Sequence, residues 1–314
     1  MKILQAPEEL SSLNTPVVLA AGVFDGLHLG HAQVIGEAKR ISSEIPGSTP
    51  VVMSFSQHPA QILRPDRAPK MLYGDFLKKY HLEKLGIQTL LELPFTHEFA
   101  ELSPNEFLRR LCTKKSPLAA ICVGSDWTFG KDRSGTLETL REQASNFGFK
   151  VHEISAVSLA GKTISSTRIR NALLTGNLDE ANSCLGRPWS IYGRVTQGKG
   201  LGKKLNFPTA NIRTDIDILL KNGVYAVHVA SEENLHPLPA VANIGLRPSI
   251  DDKTTLPVLE VHLLNFDGNL YTKNLEVRFL SRLRDEKKFA TLEELRAAIA
   301  EDIKAAQRIF FRAS

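Results

Sequence analysis

Val17-Val18-Leu19-Ala20-Ala21-Gly22-Val23-Phe24-Asp25-Gly26-Leu27-His28-Leu29-Gly30-His31 is the stretch from which the fold of the first half can be read. Its apolar, partly β-branched run from Val17 to Ala21 has no polar alternation, which marks a strand buried on both faces in a parallel sheet. From Ala32 to Ile41 apolar residues recur at helical spacing, so the glycines, acid and histidines between form a strand-to-helix turn. Such a turn offers backbone N–H groups and the positive end of a helix dipole, a favourable setting for phosphate. His28 and His31 can add hydrogen-bond donors to a phosphate whose charge rises during reaction. Neither G-x-G-x-x-G nor a Walker A sequence occurs here, so dinucleotide-type and P-loop binding are not indicated.

Outward from this stretch, strand and helix patterns alternate. Pro50–Phe55, Thr89–Leu93, Ala119–Val123 and Lys150–Ile154 read as further strands, with helices over Asp75–Leu85, from Pro104, and over Thr136–Phe147. The alternation predicts an α/β doubly wound parallel sheet, in which ligands bind beyond the carboxyl ends of the strands. Loops at Ser56-Gln57-His58-Pro59 and Gly124–Gly130 leave strands at that end and are expected to converge with the Gly22–His31 turn. Ile164-Ser165-Ser166-Thr167-Arg168-Ile169-Arg170 opens another helix; Ser166 or Thr167 can act as an N-cap with solvated arginines, or the segment can bind phosphate. Gly186-Arg187-Pro188 marks a boundary.

Beyond Trp189 short strand-like runs at 190–195, 224–229, 238–244, 258–264 and 275–279 are separated by turn residues, the texture of a small antiparallel β-barrel. Thr291–Phe310 closes the chain as an amphipathic helix, with Leu292, Leu295, Ile299 and Ile303 on the expected barrel-facing side. Two domains are therefore expected, 1–185 and 186–314.

The 314 residues carry a net charge of +5 and are 42% hydrophobic, ordinary for a globular chain with an adequate core. Polyphosphate substrates account for the mild basic balance as readily as nucleic acid does, and no basic tail, basic helix or aromatic RNA platform is present. A solvated basic surface is the plainer alternative. Cys112, Cys122 and Cys184 are odd in number and widely spaced, which argues against zinc and disulfides and for a reducing, cytoplasmic setting. Cys122 reads as core packing. No signal-type h-region and no apolar run near the roughly 20 residues of a membrane span is visible, so no membrane partner is expected.

In the second half, Gly193–Asn211 combines four glycines with Lys199, Lys203 and Lys204, suited to bending around phosphates; a flexible basic hairpin is the alternative. Thr209 and Asn211 offer oxygen donors that suit Mg²⁺. In Val258–Leu264, alternation puts Glu260 and His262 on the face opposite Leu259, Val261 and Leu263. Glu260 is then either a surface carboxylate or, inside a barrel mouth, a general base for a hydroxyl nucleophile.

Taken together, these segments resemble the bacterial bifunctional riboflavin kinase/FAD synthetase (FMN adenylyltransferase) family. Gly22–His31 is similar to G-x-F-D-G-x-H-x-G-H, a form far more specific than the H-x-G-H of nucleotidylyltransferases at large. Val123–Gly135 is similar to V-G-x-D-[aromatic]-x-F-G-x-x-R-x-G, Ile164–Arg170 to I-S-S-T-x-I-R, and Phe207–Asn211 to F-P-T-A-N. Asn243–Pro248 and Glu260–Asp267 follow in the family's order.

The resemblance implies a nucleotidylyltransferase-like first domain and a riboflavin kinase second domain. It further implies phosphorylation of riboflavin by ATP to FMN, then adenylylation of FMN by ATP to FAD and pyrophosphate, with Mg²⁺ as cofactor. Its residues would be His28, His31, Arg168, Arg170 and Glu260 in catalysis, with Gly22, Phe24, Asp25, Gly30, Ser165, Ser166, Thr167, Gly198, Lys203 and Asn211 at ATP and its phosphates. His58, Pro59, Asp126, Phe129 and Arg133 would lie at the flavin, and Thr209 and Asn211 at the metal. For Asp25 a turn-capping role is the alternative. The chain departs from the family pattern at Gln57 for a proline, Lys203 for an arginine, Asn206 for a glycine and Thr272 for a glycine. Lys203 is not neutral at a phosphate site, and Asn206 is tolerable in the glycine's place if φ is positive there, since asparagine visits that region more readily than most residues. These departures leave a second possibility, a synthetase whose kinase-like domain binds flavin as a regulator without turnover.

Overall fold

The computed structural model of the chain describes residues 1–198, 202, 205–231, 236–248 and 255–313. By contacts the chain forms two compact units, Met1–Met71 with Asp75–Ser165 and Leu72–Gly74 with Ser166–Ser314.

The first unit runs β1 (Lys2–Leu4), β2 (Val17–Ala21), α1 (Leu29–Glu44), β3 (Thr49–Phe55), α2 (Pro59–Leu63), α3 (Asp75–Lys84), β4 (Thr89–Leu93), α4 (His97–Ala100), α5 (Pro104–Leu111), β5 (Leu118–Gly124), α6 (Leu137–Phe147) and β6 (Lys150–Ile154). Its six strands lie in the order β1-β4-β3-β2-β5-β6, and every pairing is parallel. The doubly wound sheet read from the sequence is present. All of β2 is buried, because its alternate residues serve two cores. Val17, Leu19 and Ala21 pack with Phe107, Leu108, Leu111 and Leu140, while Val18 and Ala20 pack with Val34, Ile35, Ala38 and Ile41 of α1.

Local signals set the helix ends. Ser103 accepts the Glu106 N–H at 3.2 Å with Pro104 at the first helical position, and Gly148 closes α6 at φ +78. Several short elements escape the sequence pattern, among them α2 and α4. β1 is an edge strand of three residues, and β7 (Ser158–Leu159) with β8 (Lys162–Thr163) forms a hairpin turned at Ala160-Gly161, φ +52 and +73. Cys122 is core packing as expected: its thiol is fully buried, and desolvation pushes it up to about 12.

The second unit opens with α7 (Ser166–Thr175) and α8 (Leu178–Leu185), the latter capped by Asn177 and ended by Gly186 at φ +70. α7 spans Ser166–Thr175, so both Ser166 and Thr167, expected as possible N-caps, lie inside its first turn. Then β9 (Ser190–Thr196), β10 (Ala210–Thr214), β11 (Gly223–Ser231), β12 (Leu238–Pro248), β13 (Thr255–Leu263) and β14 (Asn274–Arg284) close into an antiparallel barrel in the order β10-β13-β12-β11-β14-β9. Trp189, fully buried, anchors the first strand: its indole N–H donates to the Leu72 carbonyl at 3.0 Å and its ring packs on Phe279.

The terminal helix α9 (Leu292–Ala313) covers part of the barrel's outer face. Its contact is made later along the helix than the sequence predicts. Ile303, Ala306, Ile309 and Phe310 pack on Val224, Ala226 and Val241, whereas Leu292 is 54% exposed. Buried Asp302 fixes the helix by accepting two hydrogen bonds from the Arg284 guanidinium, both at 2.8 Å.

Two departures from the family pattern now have geometry. Asn206 adopts φ +65, a conformation asparagine tolerates. Thr272 adopts φ +67, where a β-branched side chain is strained. Its backbone is held there by a hydrogen bond from its N–H to Val195 and one from the Arg194 guanidinium to its carbonyl. Thr272→Gly removes this strain, and its expected effect is a stabilisation of about 1 kcal/mol, read by urea or thermal unfolding. An unchanged or lowered midpoint would contradict it.

Candidate functional sites

In the first unit, β3, β2 and β5 are adjacent and parallel, so the loops that follow them leave from one edge of the sheet. The turn after β2 is folded on itself. Phe24, Gly26 and Leu27 have φ of +53, +83 and +43, and the Phe24 and Leu27 side chains are each 1% exposed. Burial of these two side chains holds a backbone that ordinary residues resist. Asp25 is buried between them, at 3% exposure.

His28 is the N-cap of α1. Its Nδ1 accepts the His31 N–H at 3.3 Å, which places the proton of the neutral ring on Nε2. The two imidazoles stack with centroids 3.6 Å apart and planes 17° from parallel, and Phe24 meets His31 edge-on at 5.3 Å. Gly30 leaves room for this stack: a Cβ there would stand 3.2 Å from the His28 ring, a tight contact. Two imidazoles at a helix N-terminus form a compact donor surface for an anion.

After β3, His58 caps α2, accepting the Ala60 N–H on Nδ1 at 3.1 Å, and Pro59 takes the first helical position. Gln57, in place of the family's proline, donates from its side chain to the Phe95 carbonyl at 2.9 Å, a bond that ties the loop to the exit of β4. After β5, Asp126 is exposed. Trp127 stacks on Phe129 at 4.7 Å, and the Arg133 guanidinium donates to the Thr128 hydroxyl at 2.9 Å. The sequence therefore assigned these loops to one sheet edge correctly.

Ser165, Ser166 and Thr167 stand at the opening of α7, and Arg168 and Arg170 in its first turns. Arg168 pairs with Glu180 of α8 at 2.9 Å, and Glu180 is also held by the Asn177 amide at 2.9 Å.

In the second unit the barrel register builds a polar row. Thr196, Asn211, Glu260, Asn243 and Val224 face one another across β9, β10, β13, β12 and β11. Cross-strand partners share a face, and Val224 packs under α9, so the row lies on the outer face of the barrel. Glu260 is half-buried on that face, opposite the fully buried Leu259 and Val261. Of the two placements left open by the alternation, the structure has the outer face: the interior is filled by the apolar set.

Asn211 Oδ1 is buried and accepts no hydrogen bond among the described residues. Gly198 is needed here, because a Cβ there would come within 2.1 Å of the Asn211 amide nitrogen. His262 donates from Nδ1 to the Pro208 carbonyl at 2.8 Å and meets Phe207 edge-on at 5.7 Å, locking the Phe207–Asn211 segment to β13. Lys203, with Lys199 and Lys204, lies outside the described residues.

Sequence reasoning missed β10 and the place of Asn243 beside Glu260. Strand pairing supplies both, and no local pattern does. It also missed an apolar cavity of about 230 Å³ lined by Val229, Leu238, Leu263, Phe266, Leu270 and Leu275, with Lys273.

Comparison with known proteins supplies an independent view. A family described as FAD synthetase matches residues 10–168, and one described as riboflavin kinase matches residues 185–310. A bifunctional riboflavin kinase/FMN adenylyltransferase of Escherichia coli (strain K12) is 36% identical over 307 residues, covering 98% of this chain and 95% of that protein. The protein of that name from Buchnera aphidicola subsp. Schizaphis graminum is 34% identical over 311 residues, with 99% of each covered. That from Pseudomonas fluorescens is 35% identical, with 98% of each covered.

A crystal structure from Streptococcus pneumoniae, described as a macrolide-efflux protein, superposes with a TM-score of 0.84 at 28% identity, over 97% of this chain and 98% of that one. Among the described residues here, no helix is long and apolar enough to cross a membrane. Matches to both domains in order, with relatives similar along their whole length, place this chain in the bifunctional riboflavin kinase/FMN adenylyltransferase family.

Proposed function

We propose that the chain makes FAD from riboflavin in two ATP-dependent steps, with residues 186–314 as the kinase module and 1–185 as the adenylyltransferase module. Two separate polar arrangements on one chain, each within a segment that matches one of the two families, support this reading. One is a stacked histidine pair at a helix N-terminus, the other a carboxylate flanked by two asparagines on a barrel face.

In the kinase module Glu260 accepts the proton of the riboflavin 5′-hydroxyl as its oxygen attacks the γ-phosphorus of ATP. The bond to the bridging oxygen breaks, giving FMN and ADP. Phosphoryl transfer asks mainly for positioning and charge neutralisation. Asn211 and Asn243 flank Glu260 and hold its strand neighbourhood polar. Gly198 and Lys203 bear on the ATP phosphates. A hard cation fits Thr209 and Asn211, since both offer oxygen donors and Asn211 Oδ1 is buried without a hydrogen-bond partner among the described residues. Mg²⁺ held there with ATP would screen the phosphate charge. The positive φ at Asn206 matches what the family's glycine allows.

In the adenylyltransferase module the FMN phosphate attacks the α-phosphorus of ATP, and the bond to the β-phosphate bridging oxygen breaks to release pyrophosphate. The nucleophile is already anionic, so no base is needed. His28 and His31 supply donors at the α1 N-terminus, and Arg168 and Arg170 supply charge for the phosphates. Gly22, Phe24, Asp25, Gly30, Ser165, Ser166 and Thr167 shape the nucleotide site. His58, Pro59, Asp126, Phe129 and Arg133 shape the flavin side. The substrates are small molecules, and a cytoplasmic setting suits the three free thiols.

His31→Ala is expected to lower FAD formation from supplied FMN by about 100-fold or more while sparing riboflavin phosphorylation. Loss of both activities together would contradict separate centres. Glu260→Gln is expected to lower FMN formation from riboflavin by about 100-fold or more and to leave FAD formation from FMN at the parental rate. A change of only a few-fold in FMN formation would remove Glu260 from the base role.

A further inference from the structure

The first unit contains a buried cation that neither reaction above employs. Lys78 of α3 is 6% exposed, and its Nζ donates to the Phe55 carbonyl at 2.8 Å. Phe55 ends β3, so the ammonium is fixed where the chain leaves the sheet for Ser56–Pro59. Four charged groups act on it: Glu92 of β4, Asp25 of the Gly22–His31 turn, and Asp75 and Lys79 of its own helix.

Glu92 is itself 7% exposed. It pairs with Lys79 at 3.0 Å, and its Oε1 accepts no hydrogen bond among the described residues. Asp75, exposed at the start of α3, is bound by Lys79 at 2.7 Å. Two buried carboxylates, Asp25 and Glu92, thus act on one buried ammonium beside the loops that leave β2 and β3.

A strand-end carbonyl can be satisfied by a neutral donor, and burying an ammonium is costly. What the ammonium adds is positive charge. Without it, the buried carboxylates would repel an incoming polyphosphate through a low-dielectric interior. We propose that Lys78 is a positioning residue of the adenylyl-transfer site. Its ammonium holds the exit of β3 and offsets the charge of Asp25 and Glu92 beside the turn that takes the phosphates. Lys78 touches no reacting atom. The inference rests on the adenylyltransferase reading of Gly22–His31.

Burial brings the Lys78 ammonium down to about 8, against the opposing pull of Glu92, Asp25 and Asp75. Above that pH the charge is lost, and kcat/KM for FAD formation falls. Stability moves the other way. The unfolded chain keeps this proton up to about pH 10.5, so between about pH 8 and 10.5 the group's contribution to stability rises. An alkaline loss caused by unfolding would therefore have the wrong sign for this lysine.

The test uses the full chain and measures FAD formation from FMN and ATP between about pH 6.5 and 10, beside riboflavin phosphorylation and thermal unfolding at each pH. The expected result is an alkaline limb near pH 8 in adenylylation alone, with no fall in melting temperature across it. Lys78→Gln, which keeps a donor but no charge, should lower kcat/KM at neutral pH by about 10- to 100-fold and abolish the limb. Lys78→Arg should restore part of the rate without a limb near pH 8. FAD formation in the parent with no limb near pH 8 overturns the proposal, as does a Gln variant with the parental rate and profile. No FAD from the parent at any pH overturns the adenylyltransferase reading itself, and the proposal with it.

Discussion

The strand Val17–Ala21 must be buried on both faces, and the first unit is built around that requirement. A strand with no polar face suits the interior of a parallel sheet covered by helices on both sides. Its alternate residues are divided between two apolar clusters, one under α5 and α6 and one under α1. Because β2, β3 and β5 are parallel, the loops after them leave from the same edge. The turn at that edge stays in a conformation unfavourable for Phe24 and Leu27 because both side chains are sunk in the core. Packing energy of the sheet thus holds the geometry that stacks His28 on His31 at the start of α1.

The second unit solves a different problem. A closed barrel of six strands needs its interior for apolar packing, and Leu259, Val261 and Ile244 fill it. Polar side chains are left to the outer face, which is divided in two. One part, Val224, Ala226 and Val241, lies under α9. The remainder carries Asn211, Glu260 and Asn243 in one cross-strand row. The Arg284–Asp302 pair sets where α9 rests, and the helix makes its contacts from Ile303 onward.

Much of this was legible in the sequence, wherever a pattern is local and periodic. The buried strands, the Ser103-Pro104 helix start and the alternation around Glu260 follow from residue type and spacing, while the expectation of a positive φ at Asn206 came from the family's glycine. What escaped depends on pairing across the chain. β1 is too short to show a period, and Ala210–Thr214 is too polar to read as a strand until β9 and β13 flank it. Leu292 fits the helical stripe, yet it lies ahead of the turns of α9 that meet the barrel. Whether Glu260 faces inward could not be read from alternation, which divides the faces without naming them. Lys78 looks like a solvent lysine of an amphipathic helix, and only the fold puts it beneath a strand end.

The most direct test of the central claim is a time course of the unmodified chain with riboflavin, ATP and Mg²⁺, in which riboflavin, FMN and FAD are separated. FMN should rise first, with ADP in equal amount, and FAD should follow with pyrophosphate. FMN accumulating without FAD would contradict the assignment of the first unit. Riboflavin left unchanged, while supplied FMN is converted to FAD, would contradict that of the second.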